Sequence, residues 1–314
     1  MAKDITITVS RTLLWVATLV IVVVIAVVGV LVTLDRGRPP PPTAEGAEQG
    51  ETAPERTPEA PETPTVSAPQ LSDFPDADST GVPAGVQLVE EDGNLRIDED
   101  GAVVEGLEIF GSVTVDADDV VIRNSRIVMT SGRIALRVNG DDLLVEDTEI
   151  DGQGRADPVV AFNGYTLRRV HIHNIAEGPR VAGDDVTIED SYIHSMVQRD
   201  DNHTDVIQVV KGERIVIRGN NLQAHNPESG LYGNAAFMFG EDSGPVRDCL
   251  VEGNLMNGGN YTVNGGGSGT DGAECAFREN AFQQDHRHGM TANLGPGVDW
   301  DETNVILGTT TPVG

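Results

Sequence analysis

Basic and aromatic side chains are scarce in this chain. Of 314 residues only 21 are Lys or Arg, against 50 Asp or Glu, for a formal net charge of −29. A nucleic-acid surface needs clustered basic groups to displace counterions from phosphates, so that class of partner is excluded. A naked polyanion is disfavoured too, unless a cation such as Ca²⁺ bridges it. Aromatic residues make up 4% of the chain, and Tyr192, Tyr232 and Tyr261 are the tyrosines outside the predicted core, which counts against a binder that stacks sugars on rings. There are two cysteines, Cys249 and Cys275, and no C-x-x-C pair, so no cysteine metal site is encoded. No G-x-S-x-G appears, which argues against a serine hydrolase. Lysine is rare in the repeats, so a lysine base is a poor candidate, and the glycines at 265–267 and 269 precede no helix that could cradle a phosphate.

Helical periodicity is also missing between Val104 and Phe282. Apolar residues recur there every second position, as in Val120/Ile122, Leu143/Val145, Val186/Ile188 and Ile215/Ile217. That is the period of a strand. Eight short segments repeat one pattern, starting at Val104, Ile122, Val145, Leu167, Ile188, Ile217, Val251 and Phe277, in steps of 18 to 34 residues. A second apolar strand places Val115, Val138, Val181 and Val210 seven residues ahead of its register residue. Asp118-Asp119, Asp141-Asp142, Asp184-Asp185 and Gly212 lie between the two, where residues that tolerate left-handed backbone make turns. Strand, turn, strand, turn, strand about every 22 residues is a rung of a solenoid, in which each unit buries its face only against its neighbours. The expected fold is all-β, a right-handed single-stranded parallel β-helix of about eight coils.

One polar column supports that register. Ser125, Thr148, Ser191, Asn220, Asn254 and Asn280 occupy the same place in their repeats. Stacked coils bring such positions to about 4.8 Å, where the asparagines can pass amide hydrogen bonds along the stack. Cys249 and Cys275 each lie two residues before a register residue, which makes them neighbours on adjacent strands. They are either a disulfide or two small buried apolar groups.

The front of the chain differs. Residues 13–34 contain no charge and are long enough to span a bilayer as a helix, longer than the apolar core of a cleaved signal peptide. They read as a retained signal-anchor after a short cytoplasmic segment, 1–12. Residues 35–72, rich in Pro, Glu and Thr, cannot form a core and read as a disordered acidic stalk. The β-helix domain is expected over 73–314, outside the cell, on a single-pass membrane protein. Nothing in the sequence calls for oligomers, so a monomer is expected.

The segment Phe74-Pro75-Asp76-Ala77-Asp78-Ser79-Thr80-Gly81-Val82-Pro83-Ala84-Gly85 is followed by Tyr165 to Arg169 with Ile172-His173, by Ser191 to His194, and by His203-Thr204-Asp205-Val206-Ile207-Gln208. Together these resemble a family of secreted actinobacterial right-handed β-helix proteins within the pectate-lyase-like superfamily. The resemblance covers residues 73 to 290 and implies the fold; the family carries little assigned chemistry. Where the family has Gly after the Asp of its H-T-D-G-I-Q motif, this chain has Val206, whose branched side chain would obstruct a ligand approaching the backbone there.

Three groups could carry chemistry. Positions flanking the last apolar residue of each repeat face outward, which gathers His171, His173, Tyr192 and His194, with Gln223 further along. Histidine and tyrosine can act as general base and acid on a polymer lying along that face. The step between Ile188 and Ile217 contains Arg199, Asp200, Asp201, His203, Asp205 and Gln208. There Asp200, Asp201 and Asp205 could act as carboxylate catalysts or Ca²⁺ ligands, His203 and His194 as acid/base, and Arg199 as a base or carboxylate binder. Counting back from Val210 buries Gln208, whereas hydrophobicity prefers Ile207 and Val209 inside. Asp285-His286-Arg287-His288, in the last repeat, reads as a cap or a groove rim. The expected function is action on, or binding of, a polysaccharide or cell-wall glycan by a lyase or glycoside hydrolase. The alternative is a non-catalytic glycan-binding or structural envelope protein.

Overall fold

The computed structural model describes residues 5–6, 67–199, 203–266 and 273–314. The predicted membrane helix lies outside them, and so does the stalk as far as residue 66. Among the described residues, the chain from Ser67 onward is all-β apart from one 3₁₀ turn, Leu71–Asp73, so the last residues assigned to the stalk already belong to the fold.

Each coil contributes one strand to each of three parallel sheets. Sheet 1 includes Leu95–Ile97 and Val113–Val115 and ends with Gly289–Ala292. Sheet 2 runs from Val103–Glu105 to Val298–Trp300. Sheet 3 runs from Val89–Asp92 to Val305–Ile306. Every neighbouring pair within these sheets is parallel, which is the arrangement of a parallel β-helix.

The eight register residues fall in one unbroken column of sheet 2. Val104 pairs with Ile122, Ile122 with Val145, Val145 with Leu167, and Leu167 with Ile188. Ile188 then pairs with Ile217, Ile217 with Val251, and Val251 with Phe277. The column continues to Trp300, a ninth rung that the repeat pattern did not include. Ile109, Ile127, Ile150, Ile172, Ile193, Leu222, Met256 and Phe282 form the facing column of sheet 3, all fully buried. Alternation is what makes this work: one residue of slip would turn a whole column out to water.

Sheet 2 turns into sheet 3 through two residues. The first is left-handed in most coils, as at Asn124, Asp147, Arg169 and Asp190. The second enters the polar column. Nδ2 of Asn220 donates to Oδ1 of Asn254 at 2.9 Å, that of Asn254 to Asn280 at 3.0 Å, and that of Asn280 to Asn304 at 2.8 Å. Each Nδ2 also donates to a backbone carbonyl of the preceding coil, at Ile188, Ile217 and Val251. Asn304 extends the predicted ladder by one rung. Cys249 and Cys275 pair directly in sheet 2 and are joined as a disulfide.

The strand Asp205–Arg218 passes through sheets 1 and 2 without a break. A bulge opposite Val181/Ala182 shifts its register: Val181 faces Val209, and Ala182 faces Lys211. Val209, not Val210, is therefore the buried partner of Val181, and Ile207 is buried beside it. Gln208 is turned out of the core, as hydrophobicity predicted and simple counting did not. Val206 is fully buried in the hydrophobic core, so its branched side chain does not block the surface there.

Residues 67–88 form a strap across sheet 3. Pro69 O accepts from the Gly308 N–H in the last coil, at 2.8 Å. Pro75 O accepts from Nδ2 of Asn221 at 2.8 Å. Gly81 N–H donates to Arg169 O at 2.9 Å, and Val89 N–H reaches Gly106 O. The strap thus crosses the coils in reverse order before the first coil begins. Gly81 has φ +77°, and a Cβ there would sit 2.9 Å from the His171 Cβ. Both facts require glycine.

Candidate functional site

The predicted residues separate onto two faces. His171, His173, Tyr192 and His194 come together on the outside of sheet 3, as expected. The Tyr192 and His194 rings stack at 4.1 Å, and those of His171 and His194 at 5.0 Å. Nε2 of His171 and Nε2 of His194 are 2.8 Å apart, so one must donate and the other accept. Asn174 Nδ2 donates to Nδ1 of His173, which leaves the proton on Nε2 to bond Oε1 of Glu149 at 3.0 Å.

This face is not open. Its groups lie half-buried beside the strap, and burial, aided by the neighbouring imidazoles, lowers His171 to about 4 and His194 to about 3. Both are neutral at pH 7. Glu149 is held down to about 2, chiefly by its bond to His173 and by Arg126. Burial and the charge of Asp76 in the strap raise Tyr192. Gln223 lies further along, in a chain of amides: it donates to Asn221 and Gln283 and accepts from Asn257. These amide bonds close within the fold, beside the histidine group.

The second face is the outside of sheet 1 with the loops that enter it from sheet 3. Asp205 lies here with its side chain fully buried, and Glu177, absent from the predicted set, lies beside it at 1% exposure. The Asp205 N–H donates to Oε2 of Glu177 at 3.1 Å. Asn234 Nδ2 donates to Oδ1 of Asp205 at 2.8 Å, while Oδ2 has no protein partner. Arg180 Nη2 stands 3.5 Å from Oε1 of Glu177, and its Nε donates to Oε1 of Gln208 at 2.6 Å.

Burial pushes both carboxyl groups up, and the charge of Asp205 adds to the rise at Glu177. A buried carboxyl group with a raised pKa beside a second one is an arrangement that acid/base catalysis uses. The sequence signal for Glu177 is its place: an acid off the Asp–Asp turn register, just ahead of the strand Arg180–Ala182.

His203 is exposed just ahead of the strand Asp205–Arg218. Arg199 Nη1 donates to the carbonyl of Arg155 at 2.9 Å in the same set of loops. Asp200 and Asp201 lie outside the described residues, and with them most of the expected Ca²⁺ set. Among the described residues, no group of three or more His, Cys, Asp or Glu is arranged to hold a metal. The Asp285–His288 group belongs to this second side: Arg287 lies 5.5 Å from the Tyr232 ring, and His288 packs against Tyr261 at 5.7 Å.

No protein-family model matches this chain, and no curated protein or solved structure does either.

Proposed function

We propose that this chain is a membrane-tethered, extracellular β-helix protein that engages polysaccharide along the outer face of sheet 1, with Glu177 and Asp205 as its acid/base pair. The stack is right-handed, since parallel crossovers almost always are. The carrying observation is the buried carboxyl pair with one orphaned oxygen, on a face where an extended polymer can lie across several coils. Hydrolysis is favoured over elimination. A pair of carboxyl groups is what glycoside hydrolysis uses, whereas lysine, a possible elimination base, occurs only at positions 3 and 211.

The burial of both carboxyl groups favours a second reading, a glycan-binding or structural envelope protein in which the pair only ties coils together. The deciding experiment uses the full-length protein in detergent on plant, algal and bacterial polysaccharides, with and without Ca²⁺. New reducing ends that disappear in Glu177→Gln and Asp205→Asn support the hydrolase, and unsaturated uronic ends would support a lyase instead. Binding without turnover supports the second reading. Absence of binding across the panel overturns both.

The uncharged run of residues 13–34 supports the tether, and the disulfide fits an oxidising compartment. One observation opposes it. Backbone strand Ile5–Thr6 lies parallel to Leu95–Arg96, which a single span between them would forbid. Protease protection of an N-terminal tag in sealed cells decides the point: a protected tag supports the span, and a digested tag supports the strand.

A further inference from the structure

The outer face of sheet 2 carries two columns of side chains. In one, Glu105, Arg123, Glu146 and Arg168 pair in register, rung by rung. Glu189, Arg218, Glu252 and Arg278 continue the same line. Acid and base alternate along it without a break. Ion pairs run within the column, from Arg123 to Glu105 at 2.9 Å, and from Arg168 and Arg218 to Glu189 at 2.5 Å each. Its Glu and Arg residues are equal in number, so the column is neutral in a chain whose net charge is −29.

The other column lies two residues earlier on each strand. It runs Val103, Val121, Leu144 and Thr166. Thr187, Val216, Leu250 and Ala276 complete it. Both columns face outward because strand alternation turns the register residue between them into the core. Val103 is 42% exposed, and the rest of this stripe is half-buried.

Reversing the stack leaves both columns matched. Counted inward from the two ends, Glu105 meets Arg278, Arg123 meets Glu252, Glu146 meets Arg218, and Arg168 meets Glu189. The same count sets Val103 on Ala276, Val121 on Leu250, Leu144 on Val216, and Thr166 on Thr187. Every pair is opposite in charge or alike in polarity. Such a face is complementary to itself about a two-fold axis. The axis has to lie along the strands, between the rungs of Arg168 and Glu189. An axis along the stack would set the charged column on the apolar one. An axis through a rung would set Glu on Glu and Arg on Arg.

We infer that a second copy of this chain docks here, sheet 2 against sheet 2, as a two-fold dimer in place of the monomer expected from the sequence. Sheets with aligned strands pack face to face about 10 Å apart. The stripe supplies apolar contact over about 34 Å of stack at the usual strand spacing, and the alternating charges select the register. A shallow depression of about 380 Å³, lined by Leu250, Ala276 and Arg278 among others, lies opposite the partner's Val103. Because the charged column is neutral, two copies meet here with less of the repulsion that the acidic remainder of the surface imposes. The dimer leaves sheet 1 and the strap uncovered, so the inference does not depend on the polysaccharide reading.

The test follows full-length protein in detergent by sedimentation velocity over a wide range of protein and salt concentrations. The expected result is a reversible monomer–dimer equilibrium that weakens with salt. Arg123→Glu and Glu252→Arg each set like charges together at both symmetry-related contacts, so each alone should dimerise about tenfold or more weakly. Mixed in equal amounts, the two should recover the dimer, because each supplies the charge that the other lacks. Misfolding cannot produce that recovery. Val103→Asp should weaken the dimer with an unchanged melting curve, whereas Arg133→Gln, away from this face, should not weaken it. A monomer at every concentration overturns the inference. So does a dimer that survives these substitutions, or one that is lost in well-folded charge variants and not recovered on mixing. If a charge variant fails to fold, Val103→Asp decides alone, and a dimer that it leaves unweakened overturns the inference.

Discussion

The backbone N–H of Asp205 donates to the carboxylate of Glu177 at 3.1 Å, joining residues 28 apart in sequence on adjacent coils. The bond places two acids in one dry corner of sheet 1. Because their ordinary values are 4.5 and 3.8 and both are raised, the folded state holds protons that the unfolded state has released. Stability from this pair is therefore full below about pH 4 and is lost as pH rises towards the raised values. Thermal midpoints should fall from pH 5 to pH 9. Glu177→Gln should flatten that slope and raise the midpoint at pH 9. An unchanged slope in the variant would show that the pair does not titrate as described.

The histidines act in the opposite direction. His171 and His194 are held neutral, lowered from 6.5 to about 4 and about 3, so below pH 6.5 the unfolded chain binds protons that the folded one refuses. Stability from this source falls as pH drops from 6.5 towards 3. Protonating both rings would also set two Nε2–H groups against each other across 2.8 Å. The charges facing them are Glu149, Asp151 and Arg126, with His173 beside them. In His194→Gln the loss of melting temperature between pH 6.5 and pH 4 should be smaller than in the parent. A parallel loss would assign the acid limb to other groups.

Asn254 is the middle of the buried ladder. Replacing it with Ala strands the carbonyl of Ile217 and the amide of Asn220. Each orphaned buried polar group costs about 1–3 kcal/mol, so the expected loss is about 2–6 kcal/mol, read as a lower denaturant midpoint. Asn304→Ala, at the end of the ladder, should cost less. Equal effects would mean that the ladder is not cooperative along the stack.

Gly81 is where the strap meets sheet 3. Gly81→Val forces a β-branched residue into φ +77° and against His171. The strap should lift locally, seen as faster amide exchange over residues 70–85 and faster carbethoxylation of His171 and His194. The coils should keep their protection, because only a few hydrogen bonds join strap to stack. If exchange rose throughout sheet 3, the strap would be an integral part of the fold.

Much of the architecture was readable from the chain itself. Val104 through Phe277 announced their column because strand alternation needs no knowledge of contacts, and Asn220, Asn254 and Asn280 announced theirs by sharing an offset. Trp300 and Asn304 were missed because the last rung departs from the pattern of the others. Val210 was taken for Val209 because a bulge adds a residue without altering hydrophobicity. The site was less readable. His171, His173, Tyr192 and His194 were correctly gathered, but the strap that covers them arrives from residues 67–88, and no local pattern reveals that crossing. Glu177 was overlooked because its importance lies in burial beside Asp205.

The order of apolar and polar residues by itself determined that this chain would coil and stack, since period-two alternation repeated at near-constant intervals can bury its apolar side only against its own neighbours. Tertiary structure alone decided which outward groups stay dry and which acid is buried beside Asp205. Those properties depend on low dielectric and on proximity across coils, and both exist only once distant segments have closed over one another.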